Sequence, residues 1–171
     1  MEVLLLLSSP PNDTKQLATF IQKVKYLSRF IPLASQLPYP LQREAKNDPL
    51  EWTHACEEVF EQVKDVLSTL PVMQAPDWKK EFYVNPSVGD DAIGAMLLQR
   101  GRESQYMKPV YYASRVKTPQ EKGYSEIELV MVSMVYACSR RFRHYLLQRP
   151  FTFSLATLCF LNCSIIRICQ R

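Results

Sequence analysis

At 171 residues, with 47% hydrophobic, 11% aromatic and 22% charged residues and no low-complexity run, the chain has the makeup of about one packed domain, which excludes a disordered protein. A net charge of +4 permits nucleic-acid binding without requiring it, and excludes a polycationic tail. Five cysteines (Cys56, Cys138, Cys159, Cys163, Cys169) are an odd, irregular set with only His54 and His144 beside them, which argues against both a disulfide framework and a zinc site.

The first ten residues carry an apolar run of five without a positive leader, too short for a signal peptide. Asn12, Asp13 and Thr14 then offer N-cap residues to an amphipathic helix with Leu17, Phe20, Ile21, Val24, Leu27, Phe30 and Ile31 at three- and four-residue spacing. Pro32, Pro38 and Pro40 end it, and Asn47-Asp48-Pro49 marks a turn. A second helix opens at Trp52-Thr53 and carries Cys56, Val59, Phe60, Val63, Val66, Leu67 and Leu70 along one stripe before Pro71.

Past the Asp77-Trp78-Lys79-Lys80 turn the pattern changes to three short strands, 82–84, 92–99 and 109–114, with Gly89 and Gly101 at turns: an antiparallel meander. A long helix is expected from about Tyr124 to Leu147, with Ile127, Val130, Met131, Met134, Ala137 and Cys138 as a broad apolar stripe. Pro150 closes it and Phe151–Ser154 resumes a strand. This order, βββαβ behind two helices, predicts an α+β fold. The stretch 151–169 is apolar but interrupted by Asn162 and Arg167, so no membrane span is expected there.

Ordered blocks over residues 10–155 resemble the pol polyprotein of gypsy-class LTR retrotransposons. Phe20 to Ile31 with Pro40-Leu41 is similar to the block that follows the polymerase palm. Trp52, Cys56-Glu57, Val59-Phe60, Val63-Lys64, Leu67, Pro71-Val72, Pro76-Asp77 and Phe82 are similar to the block after that. Ala92 to Gln99 is similar to "aiGavL.Q", and Lys108 to Arg115 with Glu121 and Tyr124 to "kPvaY.Sr.l...E..Y". Arg143 to Leu146 and Phe151 to Phe153 are similar to "r.YL.g..f.v".

The resemblance implies a tail (1–13), a helical segment after the palm (14–50), an RNase H-like mixed sheet (51–155) and a divergent tail (156–171), with the C-terminal part of the fold missing. Such domains cut the RNA strand of an RNA–DNA hybrid with two Mg²⁺ ions, and hard cations require anionic oxygen ligands at fixed positions. The position of the first ligand, seven residues before Gly94, falls on Ser87. That of the second, six after Tyr124, falls on Val130, and Glu128 matches an earlier glutamate that is not a ligand. With one inserted residue near Ser139–Arg141, the third falls on Ala156, and no acid follows Glu128 anywhere in the chain.

Catalysis is therefore not expected, and neither is a cofactor, with Mg²⁺ implied only if activity is retained. An active hybrid ribonuclease would have to use relocated acids among Asp90, Asp91, Glu126 and Glu128. No Tyr-x-Asp-Asp occurs, so no polymerase activity is expected in this chain alone. Arg115, Arg143 and His144 are the candidate nucleic-acid contacts. The implied partners are an RNA–DNA hybrid or the rest of a pol polyprotein, with no small-molecule substrate, in an intracellular setting.

Overall fold

The computed structural model describes residues 10–35, 41, 52–68, 73–101, 106–147, 150–154 and 165–168. Helix α1, Thr14–Tyr26, is capped by Asp13, whose carboxylate accepts the Gln16 N–H at 2.6 Å. A 3-10 turn, Leu27–Phe30, follows it. Ile31 is already extended (φ −116°, ψ 124°), because a residue before proline is pushed out of the helical region. Helix α2, His54–Ser68, presents Cys56, Phe60 and Val63 to Leu17, Phe20, Ile21 and Val24 of α1 and to Leu41. Phe20 and Phe60 meet at 5.3 Å, so the line expected between segments at residue 50 crosses a shared core.

Five strands form one mixed sheet in the order β3-β2-β1-β4-β5: β1 Phe82–Val88, β2 Ala92–Arg100, β3 Met107–Val116, β4 Phe151–Ser154 and β5 Ile165–Ile168. β1, β2 and β3 are the expected antiparallel meander, each strand longer than its apolar pattern alone indicated. β4 pairs with β1 in parallel through Phe82–Val84, and β5 pairs with β4 antiparallel. The stretch expected as a divergent tail thus supplies an edge strand. Pro86 lies beyond the three β1 residues paired with β4, and Pro109 sits on edge strand β3, both places where a missing N–H is tolerated.

Helix α3, Glu126–Tyr136, packs on β1 and β2 and starts from a capping box in which Ser125 and Glu128 satisfy each other's backbone N–H. It does not run on to Leu147. A π turn, Ala137–Arg141, closed by the Phe142 N–H on the Ala137 carbonyl at 2.8 Å, breaks it before a short helix α4, Arg143–Leu146. A π turn takes one residue more than an α turn, and it falls where the sequence comparison needed one inserted residue. Of the expected apolar stripe, Val130 and Ala137 are buried and Met134 and Cys138 half-buried, whereas Ile127 and Met131 face solvent; Leu129 and Ser133, outside that stripe, are buried instead. The main core lies between this helical layer and the sheet, with Phe82, Val84, Leu97, Phe142, Leu146, Phe151 and Phe153 at its centre.

Candidate active site

Gly94 in β2 organises the region where the carboxylates would be needed. A Cβ there would lie 2.6 Å from the Ala113 carbonyl oxygen and 3.0 Å from Leu33 Cδ2, so only glycine allows β3 and the N-terminal segment to close over it. Leu33 holds a left-handed backbone (φ 45°), a strained state for leucine, and Ser35 anchors the same segment by donating its N–H to Ser114 Oγ at 3.0 Å. The buried Ser133 hydroxyl of α3 donates to the Gly94 carbonyl, which fixes the helix on the strand.

Ser87 stands opposite Gly94 in the β1–β2 register, and Val130 lies one helical turn before Ser133. The two positions assigned by the sequence resemblance each reach Gly94 separately, Ser87 through the strand pair and Val130 through a helical turn and the Ser133 hydrogen bond. What they bring is a half-buried hydroxyl and a buried isopropyl group. Ala156 lies outside the described residues.

Of the remaining candidate acids, Asp91 and Glu128 are engaged elsewhere, and Asp90 and Glu126 are exposed. Asp91, in the β1–β2 hairpin, pairs with Lys122 Nζ at 2.8 Å, and Asp90 beside it is exposed. Glu128 accepts the Ser125 hydroxyl at 2.7 Å and the Ser125 N–H at 2.8 Å, contacts that lower its pKa. Glu126 is exposed in the first turn of α3. Among the described residues no three His, Cys, Asp or Glu side chains gather where they could hold a metal. Mg²⁺ requires oxygen donors of high charge, and the hydroxyl and methyl groups of Ser87 and Val130 do not fit it.

Of the candidate nucleic-acid contacts, Arg115 is committed within the protein. Its guanidinium grips Glu121 through two bonds of 2.6 Å and lies over the Tyr136 ring at 5.4 Å. That fork, aided by the Thr118 N–H, holds the Glu121 carboxyl down at about 2. Arg143 and His144 are exposed. The Cys138 thiol is pushed up to about 11 by burial, which keeps it protonated and unreactive, and Cys56 is buried. Neither Glu121, as the partner of Arg115, nor Ser133, as the anchor of Gly94, carries a signal in the sequence pattern.

A family model described as "RNase H-like domain found in reverse transcriptase" matches residues 52–153. The chain belongs to this family. The chain is 31% identical over 137 residues to the Transposon Tf2-3 and Tf2-4 polyproteins of Schizosaccharomyces pombe, covering 80% of this chain and 10% of each relative. It therefore spans about a tenth of the length of the curated relatives it matches. These relatives bear out the retrotransposon polyprotein origin read from the sequence blocks.

Among solved structures it is similar to the foamy viral protease-reverse transcriptase in complex with dsDNA, with a TM-score of 0.72, 19% identity and coverage of 86% of this chain and 30% of that one. The same viral protein in complex with an RNA/DNA hybrid gives a TM-score of 0.71 at 19% identity, over 86% of this chain and 20% of that one. At such identity the likeness shows the fold, the α+β RNase H-like mixed sheet. No helix among the described residues is long and apolar enough to cross a membrane.

Proposed function

We propose that this RNase H-like domain does not hydrolyse RNA, and that it serves its polyprotein as a folded unit with weak affinity for an RNA–DNA hybrid. One observation supports the reading above the rest. The positions at which the resemblance implies carboxylates carry Ser87 and Val130, while two of the other candidate acids, Asp91 and Glu128, are bound to Lys122 and Ser125. A neutral hydroxyl and an alkyl group cannot gather two hard cations around a phosphate. The exposed Arg143 and His144 supply phosphate contacts, which position a duplex without reading its sequence. The reading sets the domain inside the cell, within a longer chain, with no small-molecule substrate.

A labelled RNA–DNA hybrid incubated with the protein and Mg²⁺ or Mn²⁺ tests catalysis, and anisotropy over a salt series tests binding. The expected result is no cleavage above the protein-free blank, with binding that weakens as salt rises. Mg²⁺-dependent cleavage that disappears when Asp90, Asp91 and Glu128 are all changed to Ala would overturn the catalytic part. Absence of binding at low salt, by a protein that melts cooperatively, would remove the hybrid part.

A further inference from the structure

A second feature lies at the other end of β1, five residues from Ser87, which is roughly 16 Å along a strand. Trp78 is 47% exposed, and its ring stacks on Tyr145 with centroids 5.6 Å and planes 12° apart. Tyr145 in turn meets the wholly buried Phe82 at 5.8 Å, so the outer rings are seated on the core. The turn that carries Trp78 is locked from below. Gln99, wholly buried, accepts the Asp77 N–H and donates to the Asp77 carbonyl, both at 2.8 Å, and reaches the Lys80 carbonyl at 3.3 Å.

Basic residues lie on the elements that carry these rings. Arg143 and His144 are exposed on the same short helix as Tyr145, Lys79 follows Trp78 in its turn, and Arg29 lies over Tyr111, whose ring is 6.3 Å from Tyr145. The acids of the turn are tied back: Asp77 Oδ1 accepts the Lys79 N–H at 3.0 Å, and Glu81 accepts from Thr152 Oγ1 at 2.9 Å. Rigid aromatic rings amid cations suit a strand whose bases are unpaired. A duplex keeps its base faces covered, whereas a single strand offers them for stacking and its phosphates for the cations.

We propose that the Trp78–Tyr145 platform is a binding site for single-stranded nucleic acid, with a base stacking on Trp78 and phosphates meeting Lys79, Arg143 and His144. This goes beyond hybrid binding by the domain and does not depend on it. The protein has two tryptophans, and Trp52 packs against the α1–α2 core, so Trp52→Phe leaves Trp78 as the sole tryptophan, excited selectively at wavelengths beyond tyrosine absorption. That variant is titrated with oligothymidylate and, separately, with an RNA–DNA hybrid of equal length.

Saturable quenching by the single strand is expected, stronger than by the hybrid. In anisotropy, Trp78→Leu should weaken single-strand affinity about tenfold, the loss of one stacked base. Arg143→Ala should flatten the slope of log affinity against log salt by about 0.7. Absent quenching, or affinity and salt slope unchanged in both variants, would reduce the rings to a cover over Phe82 and overturn the site. Quenching by the hybrid as strong as by the strand would overturn its single-strand character. If Trp78→Leu does not fold, quenching of Trp78 and the Arg143→Ala slope decide the matter. Hybrid binding without any change at Trp78 would leave the proposed function standing while this site fails.

Discussion

Val130→Glu introduces the residue type that the sequence resemblance implies at this point of the helix, and the structure sets its consequence. Val130 is 4% exposed, facing the sheet one turn from the Ser133–Gly94 bond. Removing the valine side chain from the core forfeits about 1.5 kcal/mol. A carboxyl group in its place, without a cation or hydrogen-bond donor, adds about 2–3 kcal/mol. A total near 4 kcal/mol is a large share of the roughly 5–15 kcal/mol that holds a domain together. For a chain of this length it lowers the melting temperature by about 8–16 °C.

The new glutamate would have a raised pKa, so the penalty is smallest below the ordinary carboxylate range, where the group is neutral, and grows further as pH rises. Val135→Glu is the control, because Val135 lies on the same helix and is 65% exposed; its effect should stay within about 0.5 kcal/mol. Circular dichroism melts at acid and neutral pH measure both. A Val130→Glu protein melting within about 2 °C of the parent, or a Val135→Glu protein falling as far, would refute the placement of this position.

Gly94→Ala forces a methyl group to 2.6 Å from the Ala113 carbonyl oxygen, so β2 and β3 must part or Leu33 must lift away. The expected cost is about 2 kcal/mol of overpacking, a fall of roughly 4–8 °C in a thermal melt, and an unchanged melt would contradict it. Glu121 has a carboxyl depressed from 4.5 to about 2 by Arg115, so its contribution is present above pH 4.5 and lost as pH falls toward 2. Glu121→Gln should therefore lower stability by about 1–2 kcal/mol at neutral pH and by little near pH 2. Urea unfolding of both proteins along that range checks it, and parallel profiles would show that the ion pair contributes nothing.

The parts legible in the sequence are those set by local periodicity. Leu17, Phe20, Ile21 and Val24 announce α1, and the 82–116 stretch announces a meander, because burial on one face repeats at the period of the element. Ser87 and Val130 are legible only through the family resemblance; to this the structure adds that Ser87 stands opposite Gly94 across one hairpin. The end of α3 is not legible, since Ala137-Cys-Ser-Arg-Arg contains neither proline nor glycine and a π turn leaves no residue signature. Arg115 reads as a free cation because its partner Glu121 comes back across a turn, at a spacing that neither helix nor strand periodicity brings together. Trp78 and Tyr145 meet across the fold with no local pattern linking them.

Fold and chemistry draw on different interactions here, which is why one can persist without the other. The Gly94 clasp, the Gln99 lock on the Asp77–Lys80 turn and the core around Phe82 and Phe142 use no catalytic acid. Closely spaced carboxylates repel one another and destabilise a folded chain unless cations neutralise them. Once one such acid is replaced, the metal is held less well and the others become a burden on stability, so a buried Val130 is the more stable occupant of its place. Selection or drift acting on such a domain would thus remove acids readily while keeping the glycine and the core. On the proposed reading, the activities open to the domain are those that need the surface of the fold and not the carboxylates, such as stacking on a ring held in place by a buried glutamine.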